Sequence, residues 1–263
     1  MAKIAVVAVS ETEPEVGYEA PTCLLVGRAT SRRMSPPGNP LWLVTAAVEP
    51  GSALVWDGKH GDEAVYVKTG ALRIGDRTCP EGGVLVVEAG VALEARVPAR
   101  AELIHFGPVD AAQPADGPHG PPQHDGHRAH IIGPRGVNAR RQPKHLTKFF
   151  ADGTCPTCRL SLLWSSHTEK YRSAAHSHSQ DELIHVLEGE LLLGSYRIGP
   201  GDTLAVPANV RYRFETGERG YGFLNYSPDS SVYQLAADEP PRRDETPPPP
   251  FVYTGDGGDY RTS

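Results

Sequence analysis

Short apolar runs separated by turn residues recur along two stretches of this sequence. The first stretch extends from about Cys23 to Phe106 and contains CLLVG, LWLVTAAV, SALVW, EAVYV, GALRI, GVLVVEAG and AELIHF. The second contains RAHII, CRLSLLWSS, ELIHVLEG, ELLLGSYRI, DTLAVPA, VRYRFE, YGFLNY and SVYQL. The 28 glycines and 25 prolines supply many turns, which favours short antiparallel strands over long helices. We therefore predict an all-β protein of sandwich or barrel type.

Composition divides the 263 residues into four predicted segments. The first β-domain covers residues 1–107, and its start, MAKIAVV, is read as an edge strand because no convincing signal-peptide cleavage site follows. Residues 108–128 are rich in Pro, Gly and His without periodicity, which indicates a linker. The second β-domain covers 129–238. The tail, 239–263, contains PPRRDETPPPP and cannot bury enough apolar surface to fold alone.

Charge and cysteine content narrow the functional classes. The formal net charge of −6, without a basic run, argues against a nucleic-acid-binding surface. The absence of any apolar run of about 18 residues argues against a membrane span. The four cysteines are too few and too scattered for a disulfide framework, so we expect a cytoplasmic, reducing location.

The two β-domains are related as an internal repeat. An offset of 119 residues aligns GDEAVYVKTGALRIG, from Gly61, with QDELIHVLEGELLLG, from Gln180, without a gap. About a third of the paired positions are identical over some thirty residues. One β-module therefore occurs twice.

Three residues of the second module have the spacing of metal ligands. His176 and His178 are two positions apart, so on a strand both side chains point to one face, roughly 6.5–7 Å apart along the backbone. Glu182 follows at an even spacing, and the small polar residues between allow a bend toward the same ion. Two imidazoles and one carboxylate are typical of non-haem Fe(II) oxygenases, so Fe(II) is the favoured metal, with Mn, Ni, Cu or Zn as alternatives.

The first module does not repeat this ligand set. At the same offset, His176 corresponds to Asp57, His178 to Lys59, Glu182 to Glu63 and Tyr212 to Leu93. A lysine and a leucine make a poor metal cage, so we expect chemistry only in the second module. Glu63 is expected to be a remnant of the site or an ion-pair partner.

The second module resembles the cupin superfamily over nearly its whole length. His176, His178, Glu182 and Gly189 fill the first cupin motif, and YRIGPGDTLAVPANVRY matches the second through Pro200, Gly201, Asp202 and Pro207. With the duplication, the whole chain looks like a bicupin. The resemblance implies two tandem cupin-type antiparallel barrels (jelly rolls), a divalent metal in the C-terminal one, and a homodimer.

Tyr212 departs from the family pattern, because it stands where a histidine is usual. A free phenol has a pKa near 10, so Tyr212 would bind a metal as phenolate only if the ion lowered that value by about three units. Otherwise Tyr212 would hydrogen-bond substrate or act as a catalytic acid or base, as an active-site tyrosine does in some cupin lyases.

We expect a small organic substrate in a largely aromatic pocket. Strand parity places Val210 and Phe214 on the same inward face as Tyr212. Trp164, Phe223 and Tyr226 lie on neighbouring strands, where we expect them to line the same cavity. The first hypothesis is an Fe(II) dioxygenase acting on an aromatic or enolisable compound. The second is a non-oxidative metal-dependent lyase or isomerase in which Tyr212 moves the proton. The third is a non-catalytic binder of a small molecule.

The remaining histidines and cysteines are expected to be structural or solvated. His185 has odd parity relative to Glu182 and should pack away from the site. Cys155 and Cys158 supply only two ligands, so we interpret them as part of a turn before a strand. The other histidines in or beside the linker are interpreted as scattered and solvated: His119, His124, His127 and His130.

Overall fold

The structure of the protein is a computed structural model that describes residues 3–110, 129–152, 155, 157–235 and 252–253. Most of the predicted linker, and the predicted tail apart from residues 252–253, lie outside the described residues.

The described chain is built from β-strands and one 3-10 turn, η1 (Val9–Glu11). The strands of the N-terminal half are β1 (Ala5–Val7), β2 (Glu15–Val16), β3 (Cys23–Val26), β4 (Ala29–Arg33), β5 (Leu41–Val48), β6 (Ala53–Asp57), β7 (Glu63–Thr69), β8 (Ala71–Ile74), β9 (Arg77–Pro80), β10 (Val84–Val87), β11 (Ala92–Arg96) and β12 (Ala101–Pro108). Among the described residues, none belongs to a helix long and apolar enough to cross a membrane.

The C-terminal half continues with strands of more variable length. They are β13 (Ala129–Ile132), β14 (Asn138–Arg141), β15 (His145–Asp152), β16 (Ser161–His167), β17 (His176–His178), β18 (Glu182–Leu193), β19 (Tyr196–Ile198), β20 (Thr203–Val206), β21 (Glu215–Ser227), β22 (Tyr233–Leu235) and β23 (Val252–Tyr253).

The described strands form four antiparallel sheets. In the N-terminal half, a seven-stranded sheet has the order β13-β10-β7-β12-β5-β4-β2, and a five-stranded sheet has the order β3-β6-β11-β8-β9. In the C-terminal half, a nine-stranded sheet has the order β1-β20-β18-β21-β16-β15-β14-β23, with β19 on β18, and β17 pairs with β22. The predicted all-β fold of antiparallel strands is confirmed.

One strand from each half extends a sheet of the other half. β1 pairs with β20, with Val6 opposite Leu204. β13, which follows the predicted linker, pairs with β10, with His130 opposite Val86. These exchanged strands connect the two halves of the chain by backbone hydrogen bonds as well as by side-chain packing.

The internal repeat extends to strand register. β7 and β18 begin at Glu63 and Glu182, and these glutamates lie opposite Val87 of β10 and Val206 of β20 respectively. Residues that are 119 positions apart therefore occupy equivalent places in the paired strands, as well as in the aligned sequences. Equivalent positions of the two modules can be compared directly.

Three hydrophobic clusters explain why many strands read as continuous apolar runs. In β5, Trp42 belongs to the core of the first barrel, whereas Leu43 belongs to a second cluster between the modules. In β18, Leu183 lies in that second cluster and Ile184 in the core of the second barrel. Alternate side chains point to opposite faces, so a strand buried on both faces needs apolar residues at successive positions.

Steric constraints explain why glycine occupies position 189, at the end of the first cupin motif. Gly189 has a φ of 69°, and a Cβ there would collide with the carbonyl oxygen of Gly220. Its counterpart Gly70 has a φ of 82°, with the carbonyl oxygen of Arg100 only 2.7 Å from the Cβ position. Positive φ favours glycine, and the close backbone approach excludes any side chain at either turn.

Candidate metal centre

β17, β18 and the segment at Tyr212 bring the predicted site residues together. The backbone amides and carbonyls of His176 and Tyr212 exchange hydrogen bonds of 3.0 and 2.9 Å, which fixes the tyrosine beside the histidine strand. The ring centroids of His176 and His178 are 5.2 Å apart, and those of His176 and Tyr212 are 4.4 Å apart. His176, Glu182 and Tyr212 are buried, and His178 is partly exposed.

The Glu182 carboxylate is the centre of this arrangement. Tyr212 Oη donates a hydrogen bond of 2.7 Å to Oε1, and Asn225 Nδ2 donates one of 2.6 Å to Oε2. His178 Nε2 lies 3.8 Å from Oε2. Because each carboxylate oxygen has more than one lone-pair site, these bonds leave acceptor capacity for an ion.

The two imidazoles present suitable nitrogens. His176 Nδ1 donates to the carbonyl oxygen of Ala174 at 2.7 Å, so Nε2 is the nitrogen through which this ring would bind an ion. Burial lowers the pKa of His178 to about 4, which keeps its ring neutral near neutral pH. Metal-binding imidazoles must be deprotonated, so the residues of the motif fit a divalent ion.

Burial also determines the charge states of Glu182 and Tyr212. It raises the pKa of the Glu182 carboxyl, although the hydrogen bonds from Tyr212 and Asn225 oppose this rise. Burial, together with the neighbouring Glu182 charge, holds the pKa of the Tyr212 phenol well above 10. In the described arrangement Tyr212 therefore retains its proton and uses it in the hydrogen bond to Glu182.

The predicted pocket residues separate into two groups. Phe214 and Phe223 are buried in the same cluster as Tyr212, and Val210 packs against that cluster. Tyr226 and Trp164 belong instead to the cluster between the modules. The hydroxyl of Tyr226 donates to the backbone carbonyl oxygen of Asp62 at 3.0 Å, which ties it to the first module.

Two residues at the site were not anticipated from the sequence. Asn225 supplies a hydrogen bond to Glu182, and the signal for it was a lone polar residue within the apolar run YGFLNY. Tyr233 of β22 stacks on His176 with ring centroids 4.6 Å apart. The pairing of β22 with β17, which brings Tyr233 there, has no signature in the sequence.

The first module has a buried polar network at the equivalent position. Glu63 Oε2 accepts hydrogen bonds from Trp56 Nε1 at 2.7 Å and from His105 Nε2 at 2.9 Å, and Oε1 accepts one from the Thr22 hydroxyl. Asp57 and Lys59, which replace the two histidines, are exposed. Among the alternatives for Glu63, the structure favours an ion-pair or hydrogen-bond partner of His105.

His185 packs into the sheet, away from Glu182. It is 3% exposed, and its Nδ1 lies 2.9 Å from the Thr203 hydroxyl. Burial lowers the pKa of His185 to about 3, so the ring is neutral.

The expectation of a solvated His130 is wrong, because this side chain is completely buried. The pairing of β13 with β10 carries it between the modules, where it meets Glu88, Cys155 and Cys158. The donor atoms of these four side chains all lie within 4.8 Å of one another. We call these four residues the inter-module cluster. His119, His124 and His127 lie outside the described residues.

Comparisons with known proteins agree with this fold. The sequence matches no protein-family model, and the search of curated proteins gave no match. Among solved structures, an oxalate decarboxylase studied for its substrate binding mode and reaction specificity has a TM-score of 0.63 at 13% identity. Bacillus subtilis oxalate decarboxylase, described with Mn(II) centres, has a TM-score of 0.61 at 14% identity, and a deletion mutant of it has 0.62 at 14%. Each match covers 88% of this chain and 79% of that chain. The likeness shows a shared fold.

Proposed function

We propose that the protein is a metal-dependent cupin enzyme whose second barrel holds one divalent ion through His176, His178 and Glu182. The observation that carries this proposal is the position of His178 Nε2, 3.8 Å from the buried Glu182 carboxylate, with the His176 ring centroid 5.2 Å from that of His178 and the Tyr212 hydroxyl 2.7 Å from Glu182 Oε1. A bound ion would act as a Lewis acid toward a chelating carboxylate or carbonyl of the substrate. Mn(II) is the favoured ion, because the similar oxalate decarboxylase is described with Mn(II) centres.

The reaction class we favour is a non-oxidative lyase or isomerase reaction, with Tyr212 as the proton donor. In the lyase case the bond between the reacting carbon and a carboxylate group breaks, carbon dioxide departs, and the electron pair stays on the carbon, which takes the hydroxyl proton of Tyr212. The phenolate then takes a proton from water, and the hydroxide combines with the carbon dioxide as bicarbonate, so no oxidant or reductant is consumed. In the isomerase case the proton removed from another carbon of the substrate replaces the proton that Tyr212 gives up. The hydrogen bond to Glu182 holds the hydroxyl beside the ligand set, where the carbanion would form.

The aromatic residues around Tyr212 suit a small organic substrate. Phe214, Tyr221 and Phe223 pack together, with Tyr221 and Phe223 stacked at 4.8 Å between ring centroids. Such a wall excludes water from a carbanion, which favours protonation by Tyr212 over uncontrolled protonation by solvent. A homodimer, implied by the family resemblance, belongs to the same proposal and is checked by light scattering.

The test is a turnover screen of Mn(II)-loaded protein with small carboxylic and enolisable acids, oxalate included, while dissolved oxygen is recorded. We expect substrate loss without stoichiometric oxygen uptake, and we expect Tyr212→Phe to keep the metal and lose the turnover. A parallel screen of Fe(II)-loaded protein tests the dioxygenase alternative, which the same donor set accommodates, and oxygen uptake equal to substrate loss in that sample would support it instead. Metal binding without turnover of any compound would support the non-catalytic binder.

A further inference from the structure

The inter-module cluster combines metal-ligating side chains from both halves of the chain. Glu88 directly follows β10, and His130 lies on β13 beside it. Cys155 and Cys158 lie between β15 and β16 of the second module. All four side chains are buried, none more than 7% exposed, so the cluster is an internal feature and not a surface patch.

We propose that the inter-module cluster is a zinc site in which Cys155, Cys158, His130 and Glu88 are the four ligands. Thiolate and imidazole donors select zinc over the harder ions that suit the His176, His178 and Glu182 set. Four protein ligands complete a tetrahedron and leave no position for substrate, so this ion is structural. The proposal does not depend on the function proposed for the second barrel.

The distances between donor atoms of the inter-module cluster are compatible with a zinc ion. Zinc lies about 2.3 Å from sulfur and about 2.0–2.2 Å from nitrogen or oxygen, which places neighbouring tetrahedral ligands roughly 3.3–3.8 Å apart. Cys155 Sγ and His130 Nε2 are 3.9 Å apart. His130 Nε2 and Glu88 Oε1 are in hydrogen-bond contact at 2.5 Å, so the ion enters if this pair separates by about 1 Å.

The backbone around the two cysteines supports a thiolate at Cys155. The backbone N–H of Cys158 donates to Cys155 Sγ at 3.1 Å, so the Cys-x-x-Cys turn folds back on its first sulfur. An N–H directed at sulfur stabilises the anionic form that binds metal. The Thr157 hydroxyl donates to Glu88 Oε1 and thereby links the cysteine turn to the ligand of the first module.

A single carboxylate positions both sides of the cluster. Asp62 Oδ1 accepts a hydrogen bond of 2.7 Å from the backbone N–H of Ala89, next to Glu88. Its Oδ2 accepts one of 2.6 Å from the backbone N–H of Arg159, next to Cys158. Such supporting contacts hold ligands at fixed positions in metal sites.

The repeat shows that Glu88 is a departure from the shared barrel. Its counterpart in the second module is Pro207, whereas the neighbouring turn is kept: Asp181 accepts from Ala208 N–H at 2.9 Å, as Asp62 does from Ala89. The glutamate is therefore not needed to build the barrel. A role in joining the two modules gives it a physical reason.

The test is metal analysis of the full chain purified without chelators and supplied with zinc and manganese. We expect about one zinc ion per chain, lost in the Cys155→Ser/Cys158→Ser double variant while manganese binding persists. In His176→Ala/His178→Ala the pattern should be reversed, with zinc kept and manganese lost. The matched control is Cys79→Ser, which removes a buried cysteine outside the cluster and should keep zinc.

A second measurement applies to the wild-type protein and so does not depend on whether a variant folds. Cobalt(II)-substituted protein should show thiolate-to-cobalt charge-transfer absorption, and a mercurial that captures thiolates should release the zinc. The proposal is overturned if the wild-type chain takes up no zinc, if cobalt gives no thiolate band, or if the double cysteine variant keeps its zinc. A disulfide between Cys155 and Cys158 in the zinc-supplied protein would also overturn it.

Discussion

Glu63 and Glu182 begin equivalent strands, lie opposite equivalent valines and are both buried, yet their surroundings differ. Glu63 is enclosed by donors of its own module, namely the Trp56 indole, the His105 ring and the Thr22 hydroxyl. Glu182 has Tyr212 and Asn225 as donors and a neutral imidazole, His178, 3.8 Å away. The same scaffold thus carries a closed polar network in one barrel and an open ligand set in the other.

The different surroundings also shift the two carboxyl pKa values in opposite directions: the pKa of Glu63 is lowered and that of Glu182 is raised. Burial acts to raise both, but at Glu63 the hydrogen bonds and charge of His105, with Thr22 and Trp56, outweigh it and lower the pKa. At Glu182 the two hydrogen bonds do not outweigh burial, and the pKa stays raised. A buried carboxylate that lacks full compensation from the protein gains most from a nearby cation. The comparison therefore favours the proposed ion position beside Glu182 over one beside Glu63.

The largest expected effect is the loss of metal and activity on changing Glu182. Glu182→Ala should abolish manganese binding and lower turnover by more than the roughly 100-fold that loss of a supporting partner costs. Elemental analysis and turnover with the substrate found in the screen measure the two effects. Retention of both would remove Glu182 from the ligand set.

Tyr212→Phe separates catalysis from metal binding. Removal of the hydroxyl leaves the three proposed ligands in place, so manganese occupancy should be unchanged. Loss of a positioned proton donor should lower turnover by about 10²–10⁴-fold. An equal loss of occupancy would show instead that the phenol is a ligand, and unchanged turnover would exclude it as the acid.

Glu63→Ala should have the opposite consequences to Glu182→Ala, with a loss of stability and no loss of metal. It leaves the Trp56 indole, the Thr22 hydroxyl and His105 without their shared acceptor, so the free energy of unfolding should fall by about 3–5 kcal/mol. Denaturant unfolding measures this change, and metal content should not alter. Glu63→Gln, which retains one acceptor oxygen, is the matched control and should lose less stability. Loss of manganese from Glu63→Ala would reverse the assignment of the two barrels.

Asn225→Ala tests whether the hydrogen bond from Asn225 holds Glu182 in position to bind the metal. The amide fixes Glu182 Oε2 from β21, and its removal should weaken manganese affinity by about 10–100-fold. Phe106, its counterpart in the first barrel, is the site for a control, because Phe106→Leu should leave the affinity unchanged.

The effect most distant from the ligand set concerns pH and His185. Its pKa is about 3 in the folded chain and about 6.5 when unfolded, so between these values the unfolded state binds the extra proton. Stability is therefore lost as pH falls below about 6.5, by up to about 1.4 kcal/mol per pH unit. His185→Gln should reduce the slope of unfolding free energy against pH between about 4 and 6. Tyr66→Phe, at the equivalent position of the first module, should leave the slope unchanged.

Much of the architecture could be predicted from the sequence, because strand alternation and turn residues are local signals. The aligned repeat even anticipated the equivalent registers of Glu63 and Glu182. The exchange of β1 and β13 between halves could not be predicted, because pairing between strands that are not neighbours in sequence leaves no local pattern. That exchange is what buries His130.

At the site, the sequence spacing was enough to predict His176, His178 and Glu182 as candidate ligands, because residues that are close in sequence lie on adjacent strands. A neighbouring-strand position predicts Tyr226 in the pocket with Tyr212, whereas its side chain packs between the modules against Phe106, 5.4 Å away between ring centroids. The sequence alone does not place the cysteine pair beside Glu88 and His130, because Glu88 belongs to the first module and His130 reaches the cluster only through the pairing of β13 with β10.

The most direct test of the central claim is anomalous diffraction from crystals of the manganese-loaded protein. The account predicts a manganese peak within coordination distance of His176, His178 and Glu182, and no peak beside Glu63. A peak at Glu63, or three side chains of the second barrel that share no ion, would contradict it.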